Sequence, residues 1–429
     1  MRNIVFTLLL GTVVLSGAYG QTEETHSVVV TKDLTLNVEN VAVAFYMNNV
    51  SYEPGDASVV GNYVSSELRG DWPQGIELEL PETTGDRLTI VCCDDETLRD
   101  SLVFCVSTEN KTVSLCNFIP QRTYRYKMTG VDDEVVEEGL IRTRGQVRML
   151  RIPGTVNNAR DLGGWKTTDG KRIRYGKMFR GSELNGTYEA TEEGIALLRQ
   201  LGVEAEIDLR AWYNDQCGVS AFGFQDASST AWGEVPTFFY SNDSGQLPEH
   251  LDDYYRKSRW RMQFDFIVKN LREERCIYEH CVQGKDRTGY LSFLLEGLLG
   301  VAYSDLIKDY ELTYFYVLSE SKKAELDEVY EYINALSGET LRDKFNTYFV
   351  NRLGCNQSDI NYFRSVMLED VPGADAPGVV TGIDEVQGSK LNVQGSKLNV
   401  QGDFYDLQGR KVSRPSKGLY IVGGKKIEY

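Results

Sequence analysis

Residues 280–289 read His280-Cys281-Val282-Gln283-Gly284-Lys285-Asp286-Arg287-Thr288-Gly289. A short strand candidate, Cys276 to Glu279, precedes them. A helix candidate at 289–299 follows, with Leu291, Leu294, Leu295, Leu298 and Leu299 on one face. A strand that turns within a few residues into a helix lies in a sheet with that helix packed back on it, so this segment commits its domain to an α/β fold. The cysteine and the arginine are separated by five residues, and the residue types between and beside them each have a physical use. A tight loop ahead of a helix aims successive backbone N–H groups inward, and the helix dipole adds positive potential. Gly284 permits the sharp turn. The stretch Val282, Gln283, Gly284, Lys285, Asp286 and Arg287 is thus a candidate cradle for a tetrahedral anion such as phosphate, with Arg287 matching two of its oxygens in fork geometry. The same positive field favours the thiolate of Cys281, a nucleophile. Thr288 is placed to donate a hydrogen bond to that sulfur as a leaving group. His280 is expected to orient the loop by hydrogen bonding and not to touch a substrate.

The rest of the chain divides by pattern. At 429 residues it exceeds one core, and two or three domains are expected. Residues 1–20 read as a signal peptide, with Arg2, an apolar run from Ile4 to Leu15, and the small-x-small site Ala18-Tyr19-Gly20. Residues 21–146 read as an all-β sandwich domain, because short alternating runs such as Leu34 to Val38 and Ile76 to Leu80 are separated by turn residues. In 147–370 buried-strand candidates, among them Val203 to Leu209, alternate with helices near 191–201, 250–272, 303–318, 321–336 and 339–352, which gives the α/β domain a central sheet flanked by helices. Residues 371–402 are a linker in which Val-Gln-Gly-Ser-Lys-Leu-Asn occurs at 386–392 and again at 393–399, too polar to bury a core. Residues 403–429 read as a small β tail of short strands and tight turns. The fold class is therefore multidomain: a β-sandwich, an α/β domain and a terminal β tail.

The formal net charge of −17 argues against a nucleic-acid partner, since phosphate backbones demand clustered Lys and Arg. It leaves a phosphorylated small site open, because a concave site can be locally positive on an acidic protein. Three histidines and eight cysteines without a CxxC pair speak against a Cys/His zinc site. Cys92, Cys93, Cys105 and Cys116 lie close enough in sequence to pair in an oxidising compartment, or to stand as buried thiols in strands.

The loop resembles that of protein tyrosine phosphatases, and its Gly-Lys-Asp-Arg centre is similar to the bacterial tyrosine/lipid phosphatase family that shares HCxxGKDRTG. Further segments follow in that family's order: Asn157 to Gly164, Phe179 to Leu184, Leu201 to Val203 with Ile207 to Arg210, and Asp309 to Thr313. The resemblance implies phosphomonoester hydrolysis through a cysteinyl-phosphate intermediate, with no cofactor and no metal. The substrate classes it implies are phosphotyrosine, another phosphoprotein, or an inositol phosphate or phosphoinositide. Lys285 is shared with phosphatases that handle phosphoinositides. Matching the acid-bearing segment points to Asp243, in Phe239 to Asp243, although the flanks lack the family's proline-rich stretch; Asp286 inside the loop is its rival as proton donor. Arg160 and Arg180 either extend the anion site or brace the loop, with bracing favoured. Asp208 and Arg210 belong either to the site or to a structural ion pair at a strand end. A sulfur-transfer enzyme and a surface binding protein on an idle phosphatase fold are the competing readings. Residues 112–127 resemble the fibronectin type III pattern. The terminal Asp406-Leu-Gln-Gly-Arg410 and Lys417 to Val422 resemble the sorting tail of the Bacteroidetes type IX export route, which implies an export machinery as partner and a secreted or cell-surface location. Nothing in the sequence specifies an oligomeric state.

Overall fold

The computed structural model describes residues 30–39, 41–64, 75–79, 87–94, 101–107, 112–129, 135–210, 217–224, 251–252, 254–317, 321–371, 404–405, 411–412, 419–422 and 425–428. The expected leader at 1–20 and the repeats at 386–402 lie outside the described residues.

The amino-terminal region contains β1 (Val30–Asn37), α1 (Val41–Asn49), β2 (Ile76–Glu79), β3 (Arg87–Asp94), β4 (Ser101–Ser107), β5 (Thr112–Leu115), β6 (Thr123–Thr129) and β7 (Val135–Arg144). Five strands form one sheet in the order β1-β7-β6-β3-β4, with β1 parallel to β7 and the other pairs antiparallel; β2 and β5 pair antiparallel in a second sheet. Alternation along β6 turns Tyr124, Tyr126 and Met128 inward, where they meet Leu36, Ile141, and Leu78 and Leu115 from the second sheet. The Tyr124 hydroxyl accepts from the Ile119 amide at 2.9 Å, which ties the corner before β6 to that strand.

One element corrects the all-β expectation for this region. Residues 41–49 form a helix, and they pack elsewhere: Ala42, Val43, Tyr46, Val50, Tyr52 and Val60 are buried in the apolar core of the following domain. Val-Ala-Val-Ala-Phe-Tyr-Met carries no polar face, so no helical period shows, and its β-branched and aromatic residues read as strand. The packing therefore does not divide at 146.

The α/β region comprises β8 (Arg160–Asp161), β9 (Lys171–Ile173), β10 (Met178–Gly181), α2 (Glu192–Gln200), β11 (Val203–Asp208), α3 (Tyr254–Arg272), β12 (Cys276–His280), α4 (Asp286–Leu299), α5 (Tyr303–Glu311), α6 (Lys323–Asn334), α7 (Leu341–Thr347), α8 (Gln357–Met367) and β13 (Leu368–Asp370). A 3-10 turn, Leu312–Phe315, follows α5, and a π-helical turn, Tyr348–Leu353, follows α7. The main sheet runs β11-β12-β10-β8; its first three strands are parallel and β8 is antiparallel to β10, while β13 pairs with β9. The expected helices at 191–201, 250–272 and 321–336 are present with trimmed ends. The one expected at 303–318 ends as the 3-10 turn, and that at 339–352 as the π turn. Helix α8, with Ile360, Phe363 and Met367 buried, and the two- to four-residue strands β8, β9, β10 and β13 are additions. Helix α4 is buried all round, so its leucine face is only part of its contact surface.

At the carboxy terminus β14 (Phe404–Tyr405), β15 (Lys411–Val412), β16 (Leu419–Val422) and β17 (Lys425–Glu428) pair antiparallel in the order β15-β14-β16-β17.

Candidate active site

Strand β12 ends at His280 and α4 starts at Asp286, three residues before the sequence pattern placed it, so Asp286, Arg287 and Thr288 form the helix's first turn. Cys281 through Lys285 make the connection. Gly284 has φ +64°, and a Cβ there would stand 2.2 Å from the Gly181 carbonyl oxygen and 2.8 Å from the Ser182 nitrogen, so only glycine fits.

Loop carbonyls are held from outside. Glu183 N donates to Val282 O at 3.1 Å, Asn158 Nδ2 to Gln283 O at 3.1 Å and to Gly284 O at 3.0 Å, and Arg180 Nη2 to Gly284 O at 3.0 Å. In a planar trans peptide the N–H points opposite to the C=O. The amides of Gln283, Gly284 and Lys285 therefore turn away from these donors, toward the concave side of the loop that the helix N-terminus also faces. Arg287 is buried, and its Nη1 donates to Leu209 O at 2.7 Å, which hangs the guanidinium beside the end of β11. The Thr288 hydroxyl is buried with no hydrogen-bond partner among the described residues. The Lys285 ammonium is nearly buried, 5.4 Å from the Tyr314 ring centroid and 3.7 Å from Asp286 Oδ1. Burial lowers its pKa, with Asp286 opposing and Lys322 adding to the effect. Asp286 also accepts from the Tyr310 hydroxyl at 2.9 Å.

Beneath the loop lies a buried ionic cluster. Asp309 takes Arg160 Nε at 2.9 Å on one oxygen and Arg180 Nη1 on the other. Arg160 also donates to Asn158 Oδ1 at 2.5 Å. Both arginines thus brace the loop from below, Arg180 directly and Arg160 through Asn158 and Asp309. Burial pushes the Asp309 carboxyl up, but the two arginines more than offset this and hold it below its ordinary range. Asn158, at φ +56°, is the residue the sequence reasoning passed over; it lies inside the quoted Asn157 to Gly164 segment, but its contacts with residues 283, 284 and 313 leave no local trace.

Asp208 and Arg210 form a buried ion pair at the end of β11, with Arg210 Nη2 2.8 Å from Asp208 Oδ2 and Arg210 Nη1 3.1 Å from Glu183 Oε2. Burial raises the Asp208 carboxyl, and His280 and Arg210 outweigh it, so the group sits below its ordinary range. The pair shapes the strand end whose Leu209 carbonyl holds Arg287. His280 faces away from the loop mouth: Nε2 is 3.0 Å from Glu206 Oε1 and Nδ1 is 3.4 Å from Cys281 O. Asp243 lies outside the described residues. Of the four cysteines weighed for pairing, Cys116 is a buried free thiol, and the side chains of Cys92, Cys93 and Cys105 are outside the described set.

Two further carboxyls, Glu279 and Glu296, are buried beside the arginines. Burial, opposed by Arg180, lifts Glu279 from 4.5 to about 7. Its folded-state pKa is raised, so its contribution to stability is fully present below about pH 4.5 and is lost as pH rises through about 7. Glu279→Gln, which keeps the shape and a partner for Ser292 Oγ, is expected to stabilise the protein at pH 8 by about 1–3 kcal/mol, and by much less at pH 5. Urea unfolding of both proteins at the two pH values checks this.

The tyrosine phosphatase family model matches residues 152–369, just over half of the 429 residues, and encloses the loop and its whole bracing network. The chain belongs to the tyrosine phosphatase family. A protein of Cupriavidus necator named "Putative tyrosine-protein phosphatase" is 27% identical over 166 residues, which cover 36% of this chain and 60% of that protein.

Proposed function

We propose that the chain is an exported phosphomonoesterase that acts through a cysteinyl-phosphate intermediate on Cys281, with phosphotyrosine in protein as its first substrate class. The observation that carries this is the bracketed loop: its carbonyls are held from outside, its amides turn away from those donors, and it joins Cys281 to Arg287 and Thr288 in the first turn of α4.

In the first step the Cys281 thiolate attacks phosphorus, the bond to the leaving oxygen breaks, and an acid protonates that oxygen. Arg287 and the loop amides hold the equatorial oxygens as charge shifts onto them. In the second step water attacks phosphorus and gives a proton to the carboxylate left by the acid, the S–P bond breaks, inorganic phosphate leaves and the thiolate returns. The unpartnered Thr288 hydroxyl is available to donate to the departing sulfur. Asp243 and Asp286 remain the two candidates for the acid. The nearly buried Lys285 over Tyr314 supports an extra positive charge beside the cradle, which keeps inositol phosphates and phosphoinositides as the second reading. The intact set of Cys281, Arg287 and Thr288 argues against an idle fold. Export rests on the leader pattern at 1–20 and on the tail at 403–429, and the two amino-terminal sheets are read as a fibronectin III-like sandwich that carries the catalytic domain.

The test is phosphate release by the full chain, under reducing conditions, from para-nitrophenyl phosphate, phosphotyrosine and phosphoserine peptides, phosphoinositides and inositol hexakisphosphate. Release from the phosphotyrosine peptides supports the first reading, release confined to the inositol compounds the second, and none from any member defeats both. In the same assay, substitution of the true acid is expected to slow alkyl phosphates by about 10²-fold while sparing aryl phosphates with good leaving groups. Comparing Asp243→Asn with Asp286→Asn therefore identifies the acid.

A further inference from the structure

We infer that residues 41–64, threaded out of the amino-terminal sheet, belong to the catalytic unit, and that Tyr46 and Tyr52 position the phosphate loop through Glu311. The inference rests on the reading of that loop as the phosphate site, and it lies outside the 152–369 family match.

Glu311 ends α5 and is fully buried. Its carboxylate accepts from Tyr46 at 2.8 Å, from Tyr52 at 2.5 Å and from Ser321 at 2.8 Å, and no cation pairs with it among the described residues. Two of its three hydroxyl donors thus come from about 260 residues away in sequence. A buried carboxylate that loses its donors is costly, so these hydroxyls decide where Glu311 sits. The same segment is fastened at other points: Lys308 Nζ donates to Met47 O at 3.2 Å, Tyr52 N to Ser304 Oγ at 2.9 Å, and Gly55 N to Asp327 Oδ2 at 3.1 Å. The Tyr46 ring meets Phe315 edge-on at 5.8 Å.

The residues flanking Glu311 reach the loop at three points. Tyr310, just before it, donates to Asp286 at 2.9 Å. Thr313, two residues after, accepts from Asn158 Nδ2 at 3.2 Å, the same nitrogen that holds the carbonyls of Gln283 and Gly284. The Tyr314 ring lies 5.4 Å from the Lys285 ammonium. Fixing Glu311 therefore fixes the 310–314 turn, and that turn fixes the loop. Tyr46 and Tyr52 are positioning residues, and neither touches the concave side.

The test uses the full chain with Tyr46→Phe/Tyr52→Phe, which removes two oxygens and leaves the rings. The expected result is a cooperative melt, kcat on para-nitrophenyl phosphate lower by about ten-fold or more, as a sub-ångström misplacement of catalytic groups produces, weaker binding of orthovanadate, and faster amide hydrogen exchange across 281–288. Ile360→Val, a buried change in α8, serves as the stability control and is expected to lower the melting temperature with kcat unchanged. If the double variant does not fold, the two single variants are read in the same way. Unchanged exchange at 281–288, or a double variant that behaves like Ile360→Val, overturns the inference. A wild-type chain that releases no phosphate while the double variant still loosens 281–288 defeats the catalytic reading and leaves the coupling standing.

Discussion

Cys281→Ser is expected to abolish phosphate release from aryl phosphates, a loss of about 10⁴-fold or more, on the scale found when an enzyme's nucleophile is removed. A serine hydroxyl in this position needs a base to become a nucleophile. The adjacent His280 does not serve, because Nε2 is engaged by Glu206 at 3.0 Å and Nδ1 faces the Cys281 carbonyl at 3.4 Å. The braces act on loop carbonyls and not on the thiol, so the variant keeps its fold and its cradle. Orthovanadate binding without turnover is the expected pattern. Turnover within about ten-fold of wild type would place the nucleophile elsewhere.

Asp309→Ala is expected to be the most damaging change away from the loop mouth. It leaves Arg160 and Arg180 buried without their shared carboxylate, and breaking a buried ion pair from one side costs about 3–5 kcal/mol. Arg180 also holds Gly284 O, and Arg160 holds Asn158, so both supports of the loop loosen together. Urea unfolding and kcat are expected to fall in concert. A change below about 1 kcal/mol, the range of exposed pairs, would mean that the cluster relaxes without cost and that the loop does not depend on it.

The loop itself was legible because its chemistry is local. Ten consecutive residues hold the proposed nucleophile, the arginine proposed to bind the anion, the glycine at φ +64°, and the start of the helix. The parts that hold it in place were less so. Arg160 and Asp309 are 149 residues apart, and nothing in either neighbourhood announces the pairing. Both sit in segments that the family resemblance singled out, and bracing was the favoured role for Arg160, but nothing in the sequence named Asp309 as its partner. The choice between site and ion pair for Asp208 and Arg210 turned on packing at the end of β11, where Glu183 arrives from after β10. Helix α1 was missed for the opposite reason. A helix apolar all round has no periodic polar face, and its burial in the core of the following domain, with Met47 O held by Lys308 of α5, is a tertiary fact. Asp243 falls outside the described residues, so the identity of the acid turns on its chemistry and not on position.

The central claim is covalent: phosphate passes through Cys281. The most direct measurement mixes the full chain with a phosphotyrosine peptide or para-nitrophenyl phosphate, quenches with acid within the first turnover, and locates bound phosphate by peptide mass spectrometry. The account predicts phosphate on the peptide containing Cys281, a burst of leaving group equal to the enzyme present, and neither in Cys281→Ser. Steady phosphate release with no phosphorylated cysteine and no burst, or with the label on another residue, would contradict it.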